Sequence, residues 1–157
     1  MTDDSLIKQS LESAKTIAIV GASAVKEGEV LAKTRLKPSI IVMKYLLEFG
    51  YKVIPVNPFS KGKKVNGEVI VEKLEDISTN IDIINVFRPS KETPEIAKQA
   101  VKLGAKTLWL QFGIKNTETE RISNSAGITC IMNKCIKQEY QRLFLKMSPV
   151  FPALKTD

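Results

Sequence analysis

Residues that could do chemistry fall at four places in this 157-residue chain. The stretch "IVGAS" sets Gly21, Ala22 and Ser23 directly behind an apolar run. A glycine there lets backbone approach a ligand closely, and Ser23 adds a hydroxyl, which together suit a phosphate-binding turn. "VIPVNPFSKGKK" ends a second apolar run at Val56, continues through Asn57 and Pro58, and gathers Lys61, Lys63 and Lys64 into one short loop. Such cations suit a phosphate carried on a ribose, as in NADP or the 3'-phosphorylated ADP of coenzyme A. A solvated basic loop is the plainer reading of the same lysines. "VFRPS" brings Phe87, Arg88 and Pro89, where a guanidinium at a strand tip either forks onto a phosphate or pairs with a carboxylate. "TLWLQFG" adds Gln111 at the edge of such a site and Gly113, which permits close approach, while Trp109 is expected in the core.

Other chemistry is closed by composition. The chain has no histidine, which removes imidazole bases, His-dependent triads, phosphohistidine relays and His metal ligands together. Cys130 and Cys135 are too few for a disulfide framework and lack the spacing of a zinc site, so they are expected as reduced thiols, one buried and one near the surface. The net charge of +7 favours a polyanionic partner, whether nucleic acid, an acidic protein or a phosphate-rich small molecule.

These residues need strands to carry them. Ile17–Val20, Val53–Val56, Ile83–Phe87 and Thr107–Leu110 are short continuous apolar runs of the kind that suit strands buried on both faces, and Glu68–Val71 and Ile128–Met132 are weaker candidates. Helical patterns lie between them: Asp3–Ala14, Ile40–Phe49 behind Pro38 and Ser39, Thr93–Leu103 before Gly104, and Thr117–Ser125 before Gly127. Alternating strands and helices imply a single α/β domain with a doubly wound, mainly parallel sheet covered by helices on both faces. In that architecture ligands bind beyond the carboxyl ends of the strands, where all four chemical stretches fall. No run approaches the length of a membrane span, and "MTDDSLIKQS" opens acidic, so a soluble cytoplasmic protein without a membrane partner is expected.

The turn departs from the usual dinucleotide fingerprint. Further glycines are missing, and fourteen residues, Ala24 to Lys37, separate Ser23 from Pro38-Ser39. The second strand ends without the carboxylate that accepts from the ribose of NAD, which leaves coenzyme A and NADP as the better candidates.

Taken together, "IVGAS", "PSIIVMKYLLEFGYKVIPVNP", "DIINVFRPS", "GAKTLWLQFG" and "MNKCIKQEYQRL" resemble the small stand-alone CoA-binding proteins, over roughly residues 10 to 143. These are single Rossmann-like domains similar to the CoA-binding domain of the succinyl-CoA synthetase α subunit. A domain over 1–143 that includes the N-terminal helix is expected, and the tail over 144–157, which lies outside the resemblance and carries apolar residues with two prolines, is expected to pack along the domain or a neighbouring subunit. The resemblance implies coenzyme A or an acyl-CoA across the strand tips, with Gly21, Ala22 and Ser23 meeting the diphosphate. Val56, Asn57 and Pro58, with Lys61 or Lys64, would meet the ribose and its phosphate, and Phe87, Arg88 and Pro89 would frame the adenine. Ser39, which opens the following helix, would join the ligand contacts, and Arg35 or Lys37 would stand in as the basic contact for the arginine that family members place nearer the turn. The intervening segment is expected to form a mobile flap carrying Lys26, Lys33 and Arg35 over the diphosphate.

The closing motif has Asn133, Ile136 and Gln141 where the family more often has an acid and two prolines, while Cys135, Glu139, Tyr140, Arg142 and Leu143 stand as expected. Lys134 and Lys137 beside Cys135 would suit a thiolate that forms a mixed disulfide with CoA, although a packed or incidental thiol is the plainer reading. A binding protein without catalysis of its own is the leading reading, since the synthetases sharing the domain pass phosphate through a histidine. An NADP-dependent oxidoreductase or NADP-binding module is the alternative, and nucleic-acid binding comes third. A homodimer or a partner enzyme is open.

Overall fold

The computed structural model describes residues 3–24 and 37–145. Helix α1 (Asp3–Ser13) places Asp3 and Asp4 in its first turn, where carboxylates complement the helix dipole, and buries Ile7 and Leu11 one turn apart. Strand β1 (Thr16–Val20) follows, then α2 (Pro38–Glu48), which has proline at its first position, where no intrahelical N–H is needed. Strand β2 (Lys52–Val56) contains Pro55 and tolerates it because β2 is a sheet edge.

A small antiparallel hairpin, β3 (Lys64–Val65) and β4 (Glu68–Val69), comes next, turned at Asn66-Gly67 with φ of 49° and 83°. Both signs are those of the Asn-Gly hairpin turn. The weak Glu68–Val71 candidate is therefore corrected: it pairs locally as β4, and only Val71 meets the main sheet, in a single parallel bridge to Val56.

The chain continues through β5 (Ile83–Val86), α3 (Thr93–Leu103), β6 (Thr107–Leu110), α4 (Thr117–Ser125), β7 (Thr129–Ile131) and α5 (Ile136–Tyr140), and a π-helical turn over Gln141–Leu145 comes last among the described residues. Gly104 closes α3 in the left-handed conformation, φ 74°. The main sheet is fully parallel with order β2-β1-β5-β6-β7, as the alternation of strands and helices implied.

Side chains alternate along each strand between two cores. Ile17, Ile19, Ile83 and Trp109 face α1, α2 and α5, while Ala18, Ile84, Val86, Leu108 and Leu110 face α3. Leu143 and Phe144 pack onto the first core, so the packed chain runs past residue 143. None of the described helices is long and apolar enough to cross a membrane.

Candidate functional site

From β1 the chain crosses to β2 on one side and later to β5 on the other, so the strand order reverses between β1 and β5. That is where an open parallel sheet leaves a crevice. Gly21 ends β1 there with φ 89°. A Cβ on it would lie 2.9 Å from the Phe87 carbonyl oxygen and 2.9 Å from Arg88 Cδ. The glycine is thus required first by the chain leaving β5.

The turn is bonded into its surroundings. The amides of Gly21 and Ala22 donate to the Val56 carbonyl at 2.9 and 3.2 Å, and the Ser23 amide donates to the hydroxyl of buried Ser39 at 3.0 Å. Ser39 therefore ties the turn to the start of α2. Asn57 works from the other side: its Nδ2 donates to the Ala22 carbonyl at 2.8 Å, and its Oδ1 accepts from the Phe59 amide at 2.9 Å. The second contact caps a 3-10 turn over Pro58–Ser60. Sequence reasoning assigned Asn57 to a ligand; the structure uses both ends of its carboxamide to fix the first loop against the second.

Arg88 resolves toward one of its two readings. Its Nε and Nη2 donate to the Glu92 carboxylate at 3.0 and 2.8 Å, a bidentate pair that spans the 3-10 turn over Ser90–Glu92. The hydrogen bond from Arg88 holds the Glu92 carboxyl below the usual carboxylate range. Lys61 pairs with Glu72 at 3.3 Å on the surface, and Lys64 is exposed in β3. Beside these groups lies a cleft of about 370 Å³ lined by Gly21, Val56, Asn57, Phe59, Arg88 and Ile96 together with the charged Glu72, Lys73, Glu75 and Glu92, while Ser23, Lys61 and Lys64 lie outside its lining. Phe87 is half-buried against the first core.

Gln111 and Gly113 lie outside that cleft's lining. Gln111 is buried, and its Oε1 accepts from Asn85 Nδ2 at 3.1 Å and from the Ile136 amide at 3.0 Å. It is a strut beneath the tips, contrary to the edge position expected. The Gly113 amide donates to Asn133 Oδ1 at 2.6 Å, and Asn133 itself has φ 60°, a conformation asparagine accepts better than most residues. Trp109 is fully buried as expected, and its Nε1 donates to the Lys134 carbonyl at 2.8 Å.

Asn85 is the residue the sequence reading passed over. It is fully buried in β5, with Nδ2 donating to the Trp109 carbonyl at 3.3 Å as well as to Gln111. One amide inside "IINVF" was the available signal. Both cysteines are half-buried, correcting the expectation of one buried and one near the surface. Burial pushes the Cys130 thiol up, while Cys135 caps the N-terminus of α5 beside the first core. Arg35, Lys26, Lys33 and the expected flap lie outside the described residues.

Charge is unevenly spread over the described chain. The loops at the carboxyl ends of the strands, residues 37, 57–75, 87–92, 111–116 and 132–135, hold nine lysines and arginines against four glutamates. The rest of the described chain holds ten basic and ten acidic residues. The field of the described body is therefore gathered at the end of the sheet that carries the cleft.

A family model described as CoA binding domain matches residues 15–141. The chain belongs to this CoA-binding domain family. The CoA-binding domain is 35% identical over 131 residues to the uncharacterized protein YneT of Bacillus subtilis (strain 168), covering 83% of this chain and 89% of that one. A solved structure from Thermus thermophilus matches with a TM-score of 0.79 at 35% identity, over 91% of this chain and all of the other. An ADP-forming acetate–CoA ligase of Methanocaldococcus jannaschii is 29% identical over 92 residues. That match takes 59% of this chain and 12% of the ligase, so the CoA-binding domain corresponds to a small part of that enzyme.

Proposed function

We propose that the protein binds coenzyme A or an acyl-CoA across the strand tips and catalyses no reaction alone. The observation that carries this is the convergence at the β1/β5 switch point: Gly21, the Asn57 loop and Arg88 are mutually fixed around one cleft, on the end that holds the net positive charge. Family membership supports coenzyme A as the occupant.

Division of labour follows from which groups are already engaged. The amides of Gly21, Ala22 and Ser23 have protein acceptors, so in this reading the diphosphate meets the Ser23 hydroxyl and the positive end of α2. Asn57, Ser39 and Val56 hold the turn in shape. The phosphate on the ribose falls to Lys61 and Lys64, the former exchanging Glu72 for the ligand. Arg88, held by the turn at Pro89, frames the cleft, and the Glu92 pair fixes the guanidinium there as a flat wall. The protein works in the cytoplasm in this reading, holding CoA as a second copy of itself or a partner enzyme requires.

Cys135 extends the proposal. Its thiolate would attack one sulfur of CoA disulfide, forming a protein–CoA disulfide and releasing the other CoA as thiolate. Intact mass after incubation with CoA disulfide should show one CoA adduct on the wild type and none on Cys135→Ser; an unmodified wild type refutes this step.

The binding proposal is tested by comparing thermal shifts with CoA, dephospho-CoA, NADP and ADP, since a ligand that binds only the folded state raises stability by RT ln(1 + [L]/Kd). CoA should give the largest shift, and Lys61→Ala with Lys64→Ala should reduce the advantage of CoA over dephospho-CoA. A larger shift with NADP would transfer the site to the NADP reading.

A further inference from the structure

Among the described residues, four large apolar side chains are exposed at the carboxyl end of the sheet. Phe59 and Phe112 are 84% and 75% exposed, and Ile41 and Val69 are exposed as well. Phe59 follows β2 and Phe112 follows β6, three places apart in the sheet, so their backbones lie roughly 14 Å from each other at the usual strand spacing. Val69 belongs to the β3–β4 hairpin, whose Asn66 Nδ2 donates to the Ile40 carbonyl at 3.1 Å, bringing the hairpin tip to the first turn of α2 and Ile41. These side chains interleave with the loops that hold nine basic residues against four acidic ones, while the rest of the described chain is balanced. Neither feature is needed to fold the domain: the two cores are complete without them.

We propose that this end of the molecule docks on an anionic lipid surface, with Phe59 and Phe112 entering the interface and the loop lysines facing the headgroups. Charge complementarity selects an anionic partner, and the apolar side chains select one with a hydrocarbon layer behind its charges. Single-stranded nucleic acid matches the charge and could stack on the two phenylalanines, but it offers nothing to Ile41 and Val69. Because Phe59 also lines the cleft, docking sets the cleft mouth against the membrane. The proposal is independent of which ligand the cleft holds.

Co-sedimentation with vesicles of phosphatidylglycerol and phosphatidylcholine, against vesicles of phosphatidylcholine alone, tests it. The protein should bind the anionic vesicles and release them at high salt. Phe59→Ser with Phe112→Ser should weaken binding about tenfold or more, given the apolar area two phenylalanines withdraw from water. Lys91→Glu with Lys115→Glu should weaken it by at least about fivefold per position. Val101→Ser removes an exposed apolar side chain on α3, far from this end, and should change nothing. Circular dichroism melts of each variant separate misfolding from lost docking. Failure to bind anionic vesicles at low salt overturns the proposal, as does wild-type binding by the double phenylalanine variant. Tighter binding to a single-stranded oligonucleotide, with the same phenylalanine dependence, would assign the face to nucleic acid instead.

Discussion

Gly21→Ala is the most informative single change in the fold. The substitution incurs two separable costs. An L-residue at φ 89° is strained by roughly 1–2 kcal/mol. The new Cβ would also stand 2.9 Å from the Phe87 carbonyl oxygen and 2.9 Å from Arg88 Cδ. Arg88 can give way, although its movement disturbs the Glu92 pair. The Phe87 carbonyl cannot readily do so, because the Phe87 amide donates to the Val20 carbonyl at 2.8 Å and continues the β1–β5 ladder. Overpacking against backbone adds about 1–3 kcal/mol, for a total of about 3 kcal/mol. At about 2–4 °C per kcal/mol for a chain of this length, the midpoint should fall by about 6–12 °C. Gly113→Ala is the control: its φ is 88°, but nothing lies within 4 Å of the added Cβ, so it carries the dihedral cost alone. Thermal and urea melts of both variants would settle the matter. Equal loss in the two would refute the claim that β5 packs against Gly21.

Two further consequences concern groups beneath the site. Gln111→Ala strips the acceptor from Asn85 Nδ2 and the Ile136 amide together, and should cost about 2–4 kcal/mol in a urea melt while loosening the Cys135 loop, read as faster thiol labelling at that position. Burial alone would raise the pKa of Asp82, but hydrogen bonds from the Lys15 and Thr16 amides, at 2.8 and 3.0 Å, and nearby Lys106 outweigh it and hold the carboxyl below its ordinary value. A depressed folded pKa means stabilisation present above the unfolded value of about 4 and lost as pH falls through the folded one. Asp82→Asn should therefore lower stability at neutral pH, by about 1–2 kcal/mol, and converge on the wild type in acid; a constant gap across the range would contradict this.

Much of the framework was legible because its signals are local. Gly104 and Gly127 mark where α3 and α4 stop, and the apolar runs mark the buried strands, since a parallel sheet covered on both faces needs no alternation. The site was legible as a place, because every chemical stretch fell at a strand tip. The roles of individual residues were less so. Asn57, Ser39 and Gln111 were read as ligand contacts because their side chains can bond a ligand, yet each bonds backbone brought near by the fold. Gly21 was read as making room for a ligand, whereas it makes room for Phe87 and Arg88, 66 and 67 residues on. Such pairings depend on strand order, which no single stretch encodes. The Asn66-Gly67 hairpin was within reach of local reasoning, and the apolar look of "EVIV" hid it.

Isothermal titration of the full chain with coenzyme A at moderate salt tests the central claim most directly. The account predicts a saturable binding isotherm with one CoA per chain, weakened when dephospho-CoA replaces CoA and when Lys61 and Lys64 become alanine. No binding heat up to near-millimolar CoA, with the protein shown folded by its melt, would contradict it.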